Sequence, residues 1–330
     1  MRYSMFDAPL KVCGVPEFDT TKEIRRLTPE LCHAAGIDAC LGRRVPGARV
    51  RFRTDAGKIS VTMKMATFAH DAGMSRYACS TANVSFGKGE TYRFAGLVDP
   101  CDDLIATKEF TKGPGLEDVT VLFPRNEAVE EIWIEVPDGA QVLAPTPYKY
   151  EQPIVFFGSS ITEGGHAAVA NNAYVTLVSR WLDTDYYNFG FSGSCRGQIV
   201  LAEYFLKLNP RIFVLDYDHN AADAAALRAT HEPIYRYLRE QRPDMPIVML
   251  SSPNYDYLPE AEERRQIIEQ TYKNAVAAGD TNVYFIDGRT LFGVVDRQNC
   301  TTDTIHPNDL GFYRMATTIY PVLKDILEQM

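Results

Sequence analysis

The hydrophobic pattern of this 330-residue chain changes its period near residue 150. Beyond that point, short runs that are apolar throughout alternate with longer amphipathic segments. Strands that are apolar on both faces, alternating with helices, are typical of a parallel sheet covered by helices on each side. Five strands are predicted at 154–157, 186–190, 211–217, 246–252 and 282–287, and five helices at 172–182, 198–208, 222–241, 260–279 and 309–327.

The first 145 residues have a different pattern, in which apolar and polar residues alternate with a period of two. This pattern, interrupted by glycine-rich turn signals, predicts half-buried strands and hence an antiparallel β-sandwich or jelly roll. The strands are expected at 48–54, 58–65, 76–86, 91–97, 118–124 and 130–136. A segment with four prolines, 137–153, is typical of a linker. We therefore predict an accessory domain over 1–150, with its linker at 137–150, and a second domain over 151–330.

Composition excludes several classes of function. Hydrophobic residues make up 45% and charged residues 23%, as in ordinary globular proteins, and the net charge of −9 argues against a nucleic-acid partner. No apolar stretch has the length of a membrane span, and the N-terminus lacks the apolar core of a signal peptide, so we expect a cytoplasmic protein with no membrane partner. Seven scattered cysteines without metal-site spacing indicate reduced, packed thiols.

Polar motifs follow four of the predicted strands. They are GSSITEGG after the first strand, NFGFSGS after the second, DYDHNA after the third, and DTIHPND before the last helix. Ligands of open α/β sheets bind at the carboxyl ends of the strands, so these loops are expected to form one site. A serine becomes nucleophilic when a base, itself oriented by a third group, lies beside it, and His306 with Asp303 could provide both from one loop.

The order of these motifs resembles the SGNH, or GDSL-type, hydrolase family. The resemblance implies a flavodoxin-like α/β/α domain of five parallel strands, with Ser160 as the nucleophile and Asp303 and His306 completing a triad. It also implies an oxyanion hole formed by the N–H groups of Ser160 and Gly193 and the amide of Asn220. No metal and no organic cofactor are implied.

The resemblance also distinguishes the two serines. Ser160 occupies the position of the family nucleophile, whereas Ser159 occupies the position where the family usually has aspartate. The third motif departs from the family, because Asp218 replaces the usual glycine and Ala221 the usual aspartate. Either Asp218 turns away from the oxyanion hole or the hole is built differently. Further candidate pocket residues are Ser159, Glu163, His166, Asp218 and His219.

An N-terminal sandwich before the serine motif resembles a bacterial subgroup that includes carbohydrate esterases. This predicts a serine esterase acting on a small-molecule or glycan ester, most simply by O-deacetylation of a carbohydrate. Two alternatives remain open at this point: an esterase or thioesterase for lipid chains, and a glycan-binding protein with an inactive hydrolase domain. The sandwich could select the substrate or mediate homo-oligomer formation.

Overall fold

The computed structural model describes residues 1–67, 73–101 and 103–330. Within these ranges, no helix is both long enough and apolar enough to cross a membrane. The N-terminal part contains ten strands: β1 (Arg2–Ser4), β2 (Lys11–Cys13), β3 (Arg49–Thr54), β4 (Lys58–Met65), β5 (Ala82–Phe86), β6 (Arg93–Val98), β7 (Ile105–Thr111), β8 (Glu117–Leu122), β9 (Val129–Glu135) and β10 (Val142–Leu143).

These strands form two antiparallel sheets. One has the order β1-β9-β4-β7, and the other has the order β10-β3-β8-β5-β6, with β2 also paired to β3. Alternate side chains of both sheets, such as Phe52, Val61, Val121 and Ile132, are buried in one shared core. The period-two pattern therefore produces the predicted β-sandwich.

Two local sequence predictions in this part were wrong. Residues 76–80 of the predicted strand 76–86 form a short helix, α4 (Arg76–Ser80), and only the rest is the strand β5. The helix presents the carbonyl oxygens of Ala78 and Cys79 to the backbone N–H groups of Arg125 and Asn126, a tertiary contact that local alternation cannot reveal. The strand β7 was not predicted, because its mostly exposed side chains give no apolar alternation.

Three short helices between β2 and β3 were also not predicted: α1 (Phe18–Thr21), α2 (Pro29–Ala35) and α3 (Ala39–Arg43). Helix α2 carries ordinary start and stop signals. Thr28 caps it by accepting a hydrogen bond from the N–H of Leu31, Pro29 occupies its first turn, and Gly36 ends it with a φ of 65°. These signals are readable in LTPELCHAAG.

The proline-rich segment after β9 is held against the sandwich rather than free. Strand β10 lies within it and pairs with β3. The guanidinium of Arg51 donates to the carbonyl of Thr146 over 2.8 Å, and the N–H of Thr146 donates to Asp118 over 2.9 Å. The segment thus extends the second sheet before the chain enters the α/β domain.

The C-terminal part is the predicted flavodoxin-like domain. Its five strands are all parallel, in the order β12-β11-β13-β14-β15. The strands are β11 (Tyr150–Gly158), β12 (Thr184–Gly190), β13 (Ile212–Asp216), β14 (Ile247–Leu250) and β15 (Val283–Ile286). The helices are α5 (Ser160–Glu163), α6 (Tyr174–Leu182), α7 (Ile199–Leu206), α8 (Ala224–Gln241), α9 (Ala261–Ala277), α10 (Gly288–Leu291) and α11 (Asp309–Gln329).

The two faces of the sheet bury separate cores. Helices α6, α10 and α11 cover one face, and α7, α8 and α9 cover the other. The second core also includes Leu27, Cys32, Ala35 and Leu41 from the segment that contains α2 and α3. This N-terminal segment therefore packs on the α/β domain, while the division at 1–150 and 151–330 remains a prediction.

Candidate active site

Three loops leave the sheet side by side at its carboxyl edge. Gly158, the last residue of β11, pairs with Gly190 at the end of β12 and with Asp216 at the end of β13. A Cβ atom at Gly158 would lie 1.9 Å from the hydroxyl of Thr162 and 2.4 Å from the carbonyl of Asp216. Glycine is required there because the first turn of α5 folds back directly over the strand.

The two serines after Gly158 make different contacts. The Ser159 side chain is buried and accepts a hydrogen bond from the N–H of Ile161 over 3.1 Å, which caps α5. Ser160 begins the helix and remains partly exposed, and its Oγ lies 2.9 Å from Nε2 of His306. One serine therefore supports the turn, and the other presents its hydroxyl to a base.

The loop before α11 orients His306. Asp303 Oδ1 accepts hydrogen bonds from the backbone N–H groups of Ile305, over 3.0 Å, and His306, over 2.7 Å. Asp303 Oδ2 lies 2.7 Å from Nδ1 of the His306 ring. The loop is also tied to the segment after β14, because the Asn254 amide donates to the carbonyl of Thr304 over 3.1 Å.

Ser160, His306 and Asp303 thus form one continuous hydrogen-bonded series. Burial alone would raise the pKa of Asp303, but the backbone N–H and ring of His306 and the N–H of Ile305 outweigh it and lower the pKa to about 2. Asp303 is consequently ionised at neutral pH. An ionised carboxylate on Nδ1 keeps the proton there and leaves Nε2 free to accept the Ser160 proton.

Two further histidines lie near His306. The ring of His166 stacks on that of His306 with centroids 4.6 Å apart, and its Nε2 lies 3.8 Å from Asp303 Oδ2. Burial lowers the pKa of His166, and the neighbouring His306 lowers it further. Burial likewise lowers the pKa of His219, whose Nε2 has no hydrogen-bond partner within the described residues. Both histidines are therefore held neutral around the base.

The loop after β12 carries Gly193, which has a φ of 66° and no atom within 4 Å of the position a Cβ would take. Among the described residues, the N–H groups of Gly193 and Ser160 donate to no acceptor. The amide of Asn220 donates one hydrogen bond to the carbonyl of Phe191 over 2.9 Å, which leaves its second N–H free. These three groups extend from adjacent strand ends.

Asp218 turns away from this loop. Its carboxylate accepts from the N–H and the hydroxyl of Ser252, over 2.9 and 2.8 Å, and is buried at the end of β14. The sequence left open whether Asp218 turns away or the loops are built differently, and in the structure Asp218 turns away. The carboxylate that replaces the usual glycine is thus held by Ser252.

Glu163 is enclosed rather than open to a pocket. Its side chain is fully buried and forms ion pairs of 3.3 Å with both Arg26 and Arg125. It also accepts hydrogen bonds from the backbone N–H, over 3.2 Å, and the hydroxyl of Ser192, the residue before Gly193. Burial alone would raise the pKa of Glu163, but the two arginines outweigh it and lower the pKa.

Three groups could hold a metal ion by distance alone. The ligand atoms of His166, Asp303 and His306 lie within 4.8 Å of one another. However, both ring nitrogens of His306 are already engaged, one by Asp303 and the other by Ser160. A metal at this position would have to displace the hydrogen-bonded series.

The family model described as GDSL-like lipase/acylhydrolase matches residues 151–324, which is more than half of the chain. The chain belongs to this family. It is accordingly an ester hydrolase, as the sequence motifs predicted. No curated protein matches the sequence.

Several solved structures share the fold over both domains. A GDSL-like lipase from Bacteroides ovatus is 21% identical, with a TM-score of 0.84 over 99% of this chain and 98% of that one. The salicylyl-acyltransferase SsfX3 from a tetracycline biosynthetic pathway is 19% identical, with a TM-score of 0.78 over 99% and 97%. A family two carbohydrate esterase from Clostridium thermocellum, solved with cellohexaose, is 17% identical, with a TM-score of 0.62 over 86% and 94%.

Several residues around the site were not found from the sequence. Arg26 and Arg125 carry no local motif, and they lie 137 and 38 positions from Glu163 along the chain. Asn254 lies shortly after the carboxyl end of β14, where ligand-binding residues are expected, but it belongs to none of the four motifs. The arginines could have been found only from the fold.

The buried Glu163 generates a prediction. Glu163→Gln should lower the free energy of unfolding by about 3–5 kcal/mol, because the buried guanidinium groups of Arg26 and Arg125 have no other carboxylate among the described residues. It should also lower kcat, because Glu163 joins the helix that begins at Ser160 to the Ser192 loop. Chemical denaturation and ester-hydrolysis kinetics measure the two effects.

The matched control is Glu130→Gln. Glu130 pairs with Lys64 over 2.7 Å at the surface, where both side chains are about half exposed, so its loss should cost less than about 1 kcal/mol and leave kcat unchanged. Equal effects of the two substitutions would contradict the prediction.

Proposed function

We propose that this ester hydrolase acts through an acyl-enzyme on Ser160 and that it removes acetyl groups from a carbohydrate. The observation that carries the mechanism is the hydrogen-bonded series from Ser160 Oγ through the His306 ring to Asp303, at 2.9 and 2.7 Å. These separations lie within the range expected of a nucleophile, its base and the group that orients the base.

The proposed reaction has two halves. In the first, Nε2 of His306 takes the Ser160 proton as Oγ bonds to the ester carbonyl carbon, and the same nitrogen returns a proton to the leaving alcohol. In the second, water loses a proton to His306, attacks the acyl-enzyme and releases the carboxylic acid and the free serine. Asp303 stabilises the imidazolium formed in each half.

Both tetrahedral intermediates carry negative charge on the former carbonyl oxygen. The unpaired N–H groups of Ser160 and Gly193 and the second amide N–H of Asn220 are the donors proposed for it. Because Asn220 is fixed through Phe191, the donors are oriented before the substrate binds, and such preorganisation is what makes an oxyanion hole effective.

Two observations support an alcohol rich in hydroxyl groups. The His306 and Asp303 side chains remain 20% and 38% exposed, so the site is open enough for a bulky alcohol. Beside His166 lies a cleft of about 410 Å³, to which Ser75, Thr302, Asn308 and Asp309 contribute polar side chains. The fold likeness to family two carbohydrate esterases supports the same class of substrate.

The two alternatives have less support. A long acyl chain gains binding energy from apolar enclosure, whereas the cleft beside His166 is open to solvent and would not enclose it. An inactive glycan-binding protein was suggested by Asp218, but that carboxylate is bound by Ser252. Acetyl-ester hydrolysis is therefore the function that we put forward.

The paired serines provide the first test of the mechanism. Ser160→Ala should lower kcat for a small activated acetate ester by about 10⁴-fold or more with unchanged thermal unfolding. Ser159→Ala should keep most of the activity and lose about 1 kcal/mol of stability, because it removes only the helix cap. Loss of activity in Ser159→Ala with retention in Ser160→Ala would reverse the assignment.

Asp303→Asn tests the role of the carboxylate. The asparagine amide would donate to Nδ1 of His306, which moves the ring proton to Nε2 and prevents that atom from accepting the Ser160 proton. We expect kcat to fall by about 10³- to 10⁴-fold, measured by steady-state kinetics. A modest decrease would show that His306 is oriented by other contacts.

The substrate proposal is tested by comparing acyl chains and alcohols. Acetyl esters of sugars should have higher kcat/KM than octanoyl esters of the same sugars, because the cleft beside His166 is open to solvent and does not enclose a long chain. Release of acetate and octanoate, measured with Ser160→Ala as the blank, gives the comparison. A preference for octanoyl esters would instead favour the lipid-chain alternative.

A further inference from the structure

A second cavity lies between the two domains, away from Ser160. It is formed by the second sheet of the sandwich on one side and by α6 and β12 on the other, and its volume is about 80 Å³. Since one water needs about 10–15 Å³ by this measure, the cavity has room for roughly five water-sized groups. A small molecule of a few heavy atoms would fill it.

The charges that line this cavity are not balanced. Four cationic side chains, Arg49, Arg51, Lys88 and Arg180, face two carboxylates, Asp118 and Asp183. A positive lining is notable in a chain whose net charge is −9, and it favours an anionic occupant.

Two of the four cations already have carboxylate partners. Arg49 is paired with Asp185, and Lys88 lies 2.9 Å from Asp183. Arg51 and Arg180, in contrast, have no carboxylate within ion-pair distance among the described residues.

Arg51 is 5% exposed. It lies over the Tyr148 ring and donates to the carbonyl of Thr146. Arg180 lies over the ring of Tyr92, 3.9 Å from its centroid. A buried guanidinium such as that of Arg51 is costly without a counter-charge, and an anion in the cavity would remove that cost. Arg180 is only partly buried, and its charge would add to the attraction.

A third group in the lining has no hydrogen-bond partner. Ser179 is 1% exposed, and its hydroxyl makes no hydrogen bond within the described part of the chain. Buried hydroxyl groups are normally satisfied, so this one lacks the hydrogen bond that such groups usually make. The rings of Tyr92, Tyr148 and Tyr186, with Leu122, supply apolar surface around these polar groups.

We propose that this interdomain cavity is a binding site for a small organic carboxylate. The carboxylate group would be held by Arg51 and Arg180, with the Ser179 hydroxyl as a further donor, and a short apolar chain would lie among the tyrosine rings. The site does not involve Ser160 or its partners, so the proposal stands or falls independently of the proposed esterase mechanism.

Calorimetric titration of the full chain with butyrate tests the proposal. We expect one site per chain with a Kd of about 1 mM or tighter, which is well within the affinity available to a ligand of six heavy atoms. n-Butanol, which has the same chain without the charge, should not bind. Absence of butyrate binding, or equal binding of butanol, would overturn the proposal.

Variants locate the bound anion. Arg180→Gln should weaken butyrate binding by about tenfold or more, because it removes a charge-assisted hydrogen bond. Arg53→Gln is the matched control: Arg53 lies two residues after Arg51 on the same strand, bonds the carbonyl of Ala144 and does not line the cavity. Ser160→Ala should bind butyrate as tightly as the unaltered chain. Binding lost in Ser160→Ala but kept in Arg180→Gln would place butyrate at the triad and overturn the proposal.

Ser179→Ala provides a check that does not alter charge. It should leave the thermal unfolding temperature of the free protein unchanged or slightly raised, because an unsatisfied buried hydroxyl is removed. It should nevertheless weaken butyrate binding several-fold.

Titration with inorganic phosphate is the final control. Binding of phosphate as tight as that of butyrate would contradict the role given to the apolar surface.

Discussion

The buried carboxylate of Glu163 joins the segments of this protein that meet around Ser160. It lies in the helix that begins at Ser160, pairs with arginines from two separate N-terminal segments, and binds the loop that carries Gly193. Arg26 extends the connection, because its guanidinium also donates to the carbonyl oxygens of Asn188 and Leu41. The geometry around Ser160 therefore depends on residues from both ends of the fold.

The two arginines that pair with Glu163 both come from the N-terminal part of the chain. The sequence leaves its role open between substrate selection and self-association. In the structure, Arg125 lies just after the sandwich strand β8, and its guanidinium donates to both Glu163 and Ser192. Removing residues 1–145 would leave Glu163 buried without either counter-charge, so loss of activity in such a truncation would not by itself indicate a role in substrate binding.

Much of the architecture could be predicted because it follows from local periodicity. The apolar run at 154–157 and its four counterparts identify the parallel sheet, and the loops after them contain Ser160, Gly193, Asn220, Asp303 and His306. What could not be predicted depends on contacts between distant residues. Neither the helix at 76–80 nor the pairing of Glu163 with Arg26 has a local signal, whereas the cap signals of α2 are present in the sequence. The position of Asp218 was also open, since only the fold brings Ser252 to its carboxylate.

The packing of α2 and α3 on the α/β domain has a consequence for synthesis of the chain. Leu27, Cys32 and Leu41 share a core with Phe191, Phe205 and Leu238, which the ribosome adds about 150 residues or more later. Domains ordinarily fold in order as they emerge, but this segment has no apolar surface to cover it until much of the second domain has been made. The segment from Leu27 to Leu41 is therefore among the last parts of the chain to reach its native environment, although the strands before it pair within the sandwich.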